Sequence, residues 1–516
     1  MRKLFKKIFS RSHLVVIAIL LQLGISIVLP YIINNYYPLV INNVFIPVDA
    51  CFTLLAIILM IRVINSNMTI EGQLLWIVLF LGFPLFGIMI YFLFVRKNPP
   101  PRHKKYFKQA KQDLKLHSQR TASEVAELKE ETGKYFGQFE YIYQTTGLKA
   151  FKNTDVKYLH NGDMFLADLL NSLKQAQKYI FMEYFIIEEG EMWDKIFKVL
   201  VQKVKEGVDV RVMYDDLGTI NKLPNNFAKQ LNQMGIKCVK FNSFLPVISA
   251  IHNNRDHRKI TIVDGKIGYV SGLNIADEYV NIVQKYGYWK DTAVRLRGDA
   301  VRNLLYMFLP LYNIQTQKVE DINEYLPKTL TTIESSGYVC PYGDGPKYFI
   351  KDFVSLNVYL NMINQAQKYI WITTPYLIID NKLTNALCSA AKRGVDVRII
   401  TPHIPDKKII FALTRSCYKV LKEAGVKIYE YEKGFIHAKQ VICDDEIAIL
   451  GTINFDYRSL LHHYECGVLM YKQPCFKSMK ADFNHIMSIS IDMKDFKQNP
   501  FMRLICAVIK VFTPML

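Results

Sequence analysis

The sequence predicts an α/β protein: two pseudo-symmetric copies of one α/β sandwich in a single chain, preceded by N-terminal transmembrane helices. Three observations carry this. The pattern HxKxxxxD with a later asparagine occurs twice at identical spacing, as His257, Lys259, Asp264 and Asn274, then as His437, Lys439, Asp444 and Asn454. Flanking segments recur too, QAQKYI at 175–180 and 365–370 and GVDVR at 207–211 and 394–398. Ahead of both copies, residues 1–98 hold long apolar runs.

Residues 1–98 read as a membrane-anchoring region with two or three apolar segments, 14–33, 45–63 and 74–95. The first is uncharged and about long enough to cross a ~30 Å hydrocarbon core. No small-residue cleavage site follows it, so a retained anchor is favoured over a signal peptide. The second carries Asp49 and Arg62 near its ends. The third contains Gly82, Pro84 and Gly87, which membrane helices tolerate when freed backbone groups find partners. Basic residues flank both the first run (Arg2, Lys3, Lys6, Lys7, Arg11) and the third (Arg96, Lys97, Arg102, Lys104, Lys105). The positive-inside rule puts both flanks in the cytoplasm, and three full spans would separate them. One run is therefore expected to lie in the interface or re-enter, and the body is expected in the cytosol.

Prolines 99–101 end the third run. Residues 99–150 are expected to form a basic, mostly helical juxtamembrane linker able to sit on anionic headgroups. Domain one is assigned to 151–330 and domain two to 331–490. Each copy of QAQKYI leads into an apolar strand. A helical pattern follows, then a helix-ending glycine and the Val-rich strand of GVDVR, an α-to-β join. Each half therefore reads β-α-β followed by the HxK hairpin, a sandwich unit present twice. Residues 315–337 read as a polar linker, and 340–346 (CPYGDGP) as a turn-rich opening to the second half. The tail, 491–516, is apolar with Arg503 and Lys510. It is expected to lie on a membrane or to dock on the body.

Composition narrows the partner. The net charge is +19 and half the residues are hydrophobic. A basic balance suits an anionic partner, either lipid or nucleic acid. Much of the charge flanks apolar runs, and no aromatic-basic stacking motif is present, so lipid is favoured and nucleic acid is not expected. The nine cysteines lack CxxC spacing and read as reduced thiols. No metal signature or cofactor motif stands out. Oligomeric state stays open, with a homo-oligomer among the options.

The motif has a geometric reading. Residues 260–263 and 266–270 are β-rich around Asp264-Gly265, a hairpin dipeptide. Residues two apart on a strand share a face, so His257 and Lys259 point together. A two-residue loop would bring Gly272 opposite His257 and Asn274 nearby. Lys and Asn can hold the non-bridging oxygens of a phosphodiester while charge develops. Imidazole can attack phosphorus or protonate a leaving alcohol. One set has one His, so two sets must meet. Asp264 and Asp444 stand with the catalytic candidates, although their place at the turn favours a turn-forming role. His252, His462 and His463 lie at other offsets and read as residues at the rim of the site or supporting its catalytic groups from behind. Tyr184 and Tyr376 read as pocket walls, and Asp215-Asp216 as a turn.

The twin motifs resemble those of the phospholipase D superfamily, whose members build one site from two such halves. The paired membrane segments, with Trp76 and residues 83–87 (FPLFG), further resemble bacterial cardiolipin synthases. The resemblance implies two phospholipase D-like domains, a multi-pass cell-membrane enzyme and phosphatidyl transfer between two phosphatidylglycerol molecules. It gives His257 the nucleophilic role and His437 the acid-base role, with Lys259, Lys439, Asn274 and Asn454 on the phosphate. It also places a His-orienting acid after each hairpin, Asp291 for His257 and Glu465 for His437. The alternatives are a membrane-bound phospholipase D, with water as acceptor, and a nuclease.

Overall fold

The computed structural model describes residues 46–66, 68–94, 101–243, 254–327, 332–333, 335–346 and 349–513. The apolar run 14–33 and His252 lie outside them. The chain divides into two compact units, one that holds the N-terminal helices and the last residues of the tail from Ala507, the other the body up to Cys506.

The second apolar run forms α1 (Ile46–Ile64). Its residues Pro47–Ile64 have a mean hydropathy of 2.1, and among the described residues this is the one helix long and apolar enough to cross a membrane. The third run is not one helix but two, α2 (Ile70–Gly82) and α3 (Pro84–Phe94). Phe83 leaves the helical region (φ −148°, ψ 73°), as expected of a residue whose successor is proline. The chain then folds back. A Cβ at Gly87 would sit 2.9 Å from the Leu79 carbonyl oxygen, so only glycine allows that approach. Trp76 meets Tyr91 edge-on at 5.3 Å. The outward faces are apolar as well, with Leu54, Ile58, Leu81 and Phe92 exposed.

Residues 101–146, read as a mostly helical linker, are helical and also pack on the body. They form the helices Pro101–His117, Ala122–Thr132 and Phe136–Thr146, whose apolar residues join the body core. Phe107 packs on Phe349 at 4.5 Å, and Gln138 Nε2 donates to Val358 O at 2.8 Å.

The first half contains β1 (Thr154–Leu159), β2 (Tyr179–Tyr184), β3 (Asp209–Asp215), β4 (Lys237–Phe241), β5 (Lys259–Val263), β6 (Ile267–Ser271), β7 (Tyr288–Lys290) and β8 (Ala293–Gly298). The second contains β9 (Tyr338–Asp344), β10 (Tyr369–Thr373), β11 (Leu377–Ile378), β12 (Asp396–Pro402), β13 (Lys427–Tyr431), β14 (Gly434–Ile436), β15 (Gln440–Cys443), β16 (Ile447–Gly451), β17 (Phe455–Asp456), β18 (Glu465–Tyr471) and β19 (Ser490–Asp492). The sheets run β1-β8-β6-β5-β2-β3-β4 and β9-β18-β16-β15-β10-β12-β13-β19. Strand for strand they are the same sheet, with β19 added at one edge. In each, parallel strands joined by helical crossovers abut the antiparallel HxK hairpin, as the repeat predicts. Residues 340–344, expected as turns, instead belong to β9. Pro341 is accommodated because β9 is an edge strand.

Both hairpins depart from the expected register by one residue. Val263 pairs with Ile267 and Cys443 with Ile447, so each loop has three residues rather than two. The cause lies in Asp264 and Asp444, both left-handed (φ 53° and 56°). Each turns its carboxylate back onto the start of a neighbouring strand. Asp264 accepts from the backbone N–H groups of Gln177, Lys178 and Tyr179 at 2.7–2.9 Å. Asp444 does the same with Gln367, Lys368 and Tyr369 at 2.8–2.9 Å.

The tail forms the helix Pro500–Lys510, with Phe501, Leu504 and Val508 exposed and Cys506 buried. All nine cysteines are free.

Candidate active site

Two strand-end junctions between the halves build the site. At the first, β7 pairs in parallel with β14, Lys290 opposite Ile436. His437 N–H then donates to Lys290 O at 2.7 Å, which sets the ring beside Asp291. At the second, His257 N–H donates to Tyr464 O and Tyr464 N–H to Arg255 O, both at 2.9 Å, which sets His257 beside Glu465. Arg255 is itself fixed by a buried ion pair with Asp215, 2.6 Å at its shortest. Asp215 is thus a turn residue, as expected, and also the anchor of the segment that carries His257.

The acids are therefore crossed relative to the expected pairing. His257 Nδ1 lies 2.9 Å from Glu465 Oε1, and His437 Nδ1 lies 2.6 Å from Asp291 Oδ2. Each imidazole uses the carboxylate of the other half. The physical reason is the pair of junctions: each His bonds the backbone of the residue just before the other half's acid.

Asp264 and Asp444 do not join this cluster. Seven residues of extended chain, roughly 20 Å at the usual strand rise, separate each from its histidine. Their oxygens serve backbone N–H groups. The catalytic assignment of these two aspartates is corrected to a structural one: they staple the hairpin to the entry of β2 and β10.

The remaining motif residues do assemble. Lys259 Nζ donates to His257 O at 2.6 Å, and Lys439 donates to His437 O. Asn274 donates to Tyr279 Oη at 2.6 Å and accepts from Ile186 N–H at 3.0 Å. Asn454 is buried, and its Oδ1 finds no hydrogen-bond partner among the described residues. Phe185 flanks His257 at 5.2 Å, while Trp289 and Tyr279 flank His437 at 5.2 and 5.6 Å. Tyr184 is no pocket wall; it is buried in the core and shares a hydrogen bond with Thr261.

Electrostatics show that the two sets share one site. Burial depresses His257 well below the usual imidazole range, and the charges of Lys259, His463, Lys439 and His437 depress it further. Two of those four come from the other motif. Burial also brings His437 down to about 4, with Lys439 adding and Asp291 opposing. Lys259 falls to about 8 and Lys439 to about 7, again chiefly through burial. The two acids differ. Burial pushes Glu465 well up, against Lys259 and Thr452. For Asp291 burial acts in the same direction, but His437, Lys439 and the Thr292 N–H outweigh it, leaving the carboxyl below its ordinary value. Asp291 is ionised.

Reading the sequence missed one feature and left another open. Gly272 and Thr452 hold equivalent places beside the two acids. A Cβ at Gly272 would lie 2.0 Å from Asp291 Oδ1, and Thr452 Oγ1 donates to Glu465. Both positions serve the acid. His463, read as a rim or supporting residue, takes the supporting place, 5.7 Å ring to ring from His257. The signal was available: His463 stands two residues before Glu465, as Trp289 stands two before Asp291.

The family described as cardiolipin synthase, PLD-like domain, matches residues 169–286 and 359–487. A protein of Streptococcus mutans is 41% identical over 88% of this chain and 98% of its own length. A cardiolipin synthase of Alkalihalophilus pseudofirmus is 35% identical over 90% of this chain and 93% of its own. Among solved structures, a phosphatidylserine synthase from Haemophilus influenzae superposes with a TM-score of 0.55 at 17% identity, covering 73% of this chain and 97% of that one, which shows a shared fold. With two crossed His-acid pairs in one cluster and relatives matched over most of their length, the chain belongs to the cardiolipin synthase family of the phospholipase D superfamily.

Proposed function

We propose that this chain makes cardiolipin by transferring a phosphatidyl group from one phosphatidylglycerol to another. The observation that carries the reading is the convergence of two imidazoles, each steadied by the other half's carboxylate, around two buried lysines.

The difference between the two acids supports a division of labour. His257 is the neutral partner: its Nδ1 is engaged with Glu465, which leaves Nε2 for attack on phosphorus. His437 faces an ionised aspartate, the setting that favours an imidazolium. Entry of an anionic diester between Lys259 and Lys439 raises all the depressed cations, His437 among them. In the first step the His257 Nε2 lone pair forms a bond to phosphorus and the bond to glycerol breaks. His437 gives its proton to the departing glycerol oxygen. The intermediate is a phosphatidyl-histidine. Neutral His437 then takes the proton from a terminal hydroxyl of a second phosphatidylglycerol. That oxygen attacks phosphorus, the P–N bond breaks, and cardiolipin leaves. One diester is exchanged for another, so no outside energy source enters the balance. Lys259, Lys439, Asn274 and Asn454 hold the non-bridging oxygens.

The same reading places the body on the cytosolic face of a multi-pass membrane protein. The exposed apolar residues of Pro500–Lys510, with Arg503 and Lys510 on the same helix, support contact with an anionic lipid surface. The test is lipid analysis of purified protein in phosphatidylglycerol vesicles, beside His257→Ala. Cardiolipin and glycerol in equal amounts, absent in the variant, support the transfer. Phosphatidic acid in place of cardiolipin would mean that water is the acceptor and would replace this reading with hydrolysis.

A further inference from the structure

Each catalytic imidazole has a ring beside it at an equivalent position. For His437 this is the indole of Trp289, 5.2 Å away; for His257 it is the imidazole of His463, 5.7 Å away. His463 is 9% exposed, and its Nδ1 finds no hydrogen-bond partner among the described residues. That nitrogen points at the acid: it lies 3.8 Å from Glu465 Oε1, the same oxygen that His257 Nδ1 approaches at 2.9 Å. At 3.8 Å no bond exists, but a shift of about 1 Å makes one. A buried polar nitrogen left bare beside a buried carboxylate is a costly arrangement unless it is used at some stage of the cycle.

The need for such a donor follows from the nucleophile. His257 attacks through Nε2 only if its own proton is on Nδ1. Nδ1–H needs an acceptor, and an ionised Glu465 is the strongest one at hand. A protonated Glu465 can donate to Nδ1 instead and leave the imidazole proton on Nε2, which slows attack. On the other side His437, Lys439 and the Thr292 N–H already hold the Asp291 carboxyl below its ordinary value, and its flanking ring is an indole packed against Phe435 at 4.8 Å. Glu465 is the acid that burial drives toward neutrality. Around it stand Lys259, His257, Asp456, and the hydroxyls of Thr452 and Ser459; around His463 stand Arg458, His462, Lys259 and Arg255. Burial first, and then these neighbours, hold His463 well below the usual imidazole range, and a neutral imidazole can still donate through Nδ1–H.

We propose that His463 is a positioning residue for the nucleophile: by donating to Glu465 Oε1 it keeps that carboxylate ionised, so that His257 holds its proton on Nδ1 and presents a bare Nε2. The proposal rests on the reading of His257 as nucleophile, not on the identity of the acceptor alcohol.

The test compares His463→Phe, which keeps a ring but no donor, with His463→Asn, which keeps an N–H of similar reach. Glycerol release from phosphatidylglycerol reports the first step whatever the acceptor is. The expected result is a fall in kcat of about tenfold or more for the Phe variant, with KM changed less than about twofold, and recovery of most of it by Asn. The acid limb of the kcat profile should move to higher pH in the Phe variant, because Glu465 then needs a higher pH to ionise. A second readout uses no lipid: carbethoxylation of His257 by diethyl pyrocarbonate, followed by mass spectrometry, should slow in the Phe variant and recover in the Asn variant. Equal losses in both variants with an unmoved acid limb would mean that His463 only fills space, and would overturn the proposal. Unchanged His257 labelling in the Phe variant would overturn it as well. Glycerol release without cardiolipin in the unmodified protein would count against the proposed function alone and leave this test readable.

Discussion

His257 faces a glutamate that burial drives toward neutrality, with a threonine hydroxyl and a second imidazole at hand. His437 faces an ionised aspartate, with a bare glycine and an indole in the same places. The backbone frames match strand for strand, and both imidazoles and both lysines are lowered by burial, yet the two acids are shifted in opposite directions. The contrast shows how duplication yields two roles. A symmetric site would give two histidines of one protonation state, whereas this reaction needs one bare and one protonated.

The largest expected effect breaks the pair outright. His257→Ala and His437→Ala should each lower turnover by about 10⁴-fold or more. Only His437→Ala should retain a phosphatidyl group on the protein after quenching in alkaline denaturant, which spares the acid-labile P–N bond, and mass spectrometry. Trapping in His257→Ala instead would exchange the two roles.

The next experiment sharpens the asymmetry between the acids. Asp291→Asn removes the charge that supports the His437 imidazolium and should cost about 10³-fold in kcat. Glu465→Gln keeps a hydrogen-bond acceptor next to His257 and should cost about 10- to 100-fold. Steady-state kinetics of both in one preparation decide it; equal losses would erase the distinction.

A smaller effect comes from the lysines. Lys439 titrates at about 7 and Lys259 at about 8, both lowered mainly by burial. A lysine is charged below its pKa, so phosphate contacts weaken as pH rises through these values, and KM for phosphatidylglycerol should rise on the alkaline side. Lys439→Arg stays charged throughout and should flatten that rise, provided its longer fork is accommodated. A KM series across pH for both proteins checks this.

The smallest effect on catalysis is expected at the hairpin tips. Asp264→Ala or Asp444→Ala strips acceptors from three backbone N–H groups and should cost about 2–4 kcal/mol of stability. kcat of the surviving folded fraction should change less than about twofold. Thermal unfolding beside kinetics separates the two.

Much of this was legible in the chain itself. Matching offsets put His and Lys on one face and bring Asn back to them from the end of the returning strand, and the repeated flanks declare two copies of one sheet. Three things were not. The pairing of Asp291 with His437 depends on the β7–β14 contact, and no spacing within either half encodes a contact between halves. The hairpin loop gained one residue because its first residue, held left-handed, turns its carboxylate onto backbone of another strand, a tertiary effect. Residues 101–146 looked solvated because their charges dominate the composition. Yet a few apolar residues at helical spacing, Phe107 and Phe139 among them, suffice to fix them on the body.

The exchange of acids between halves has a consequence for synthesis. A ribosome that has completed the first sandwich has made His257 without the carboxylate that orients it. His257 gains that partner only when Glu465 emerges, more than two hundred residues later, and folds against it. A polypeptide that stops short of residue 437 lacks the second imidazole as well as that acid, and so holds half a site.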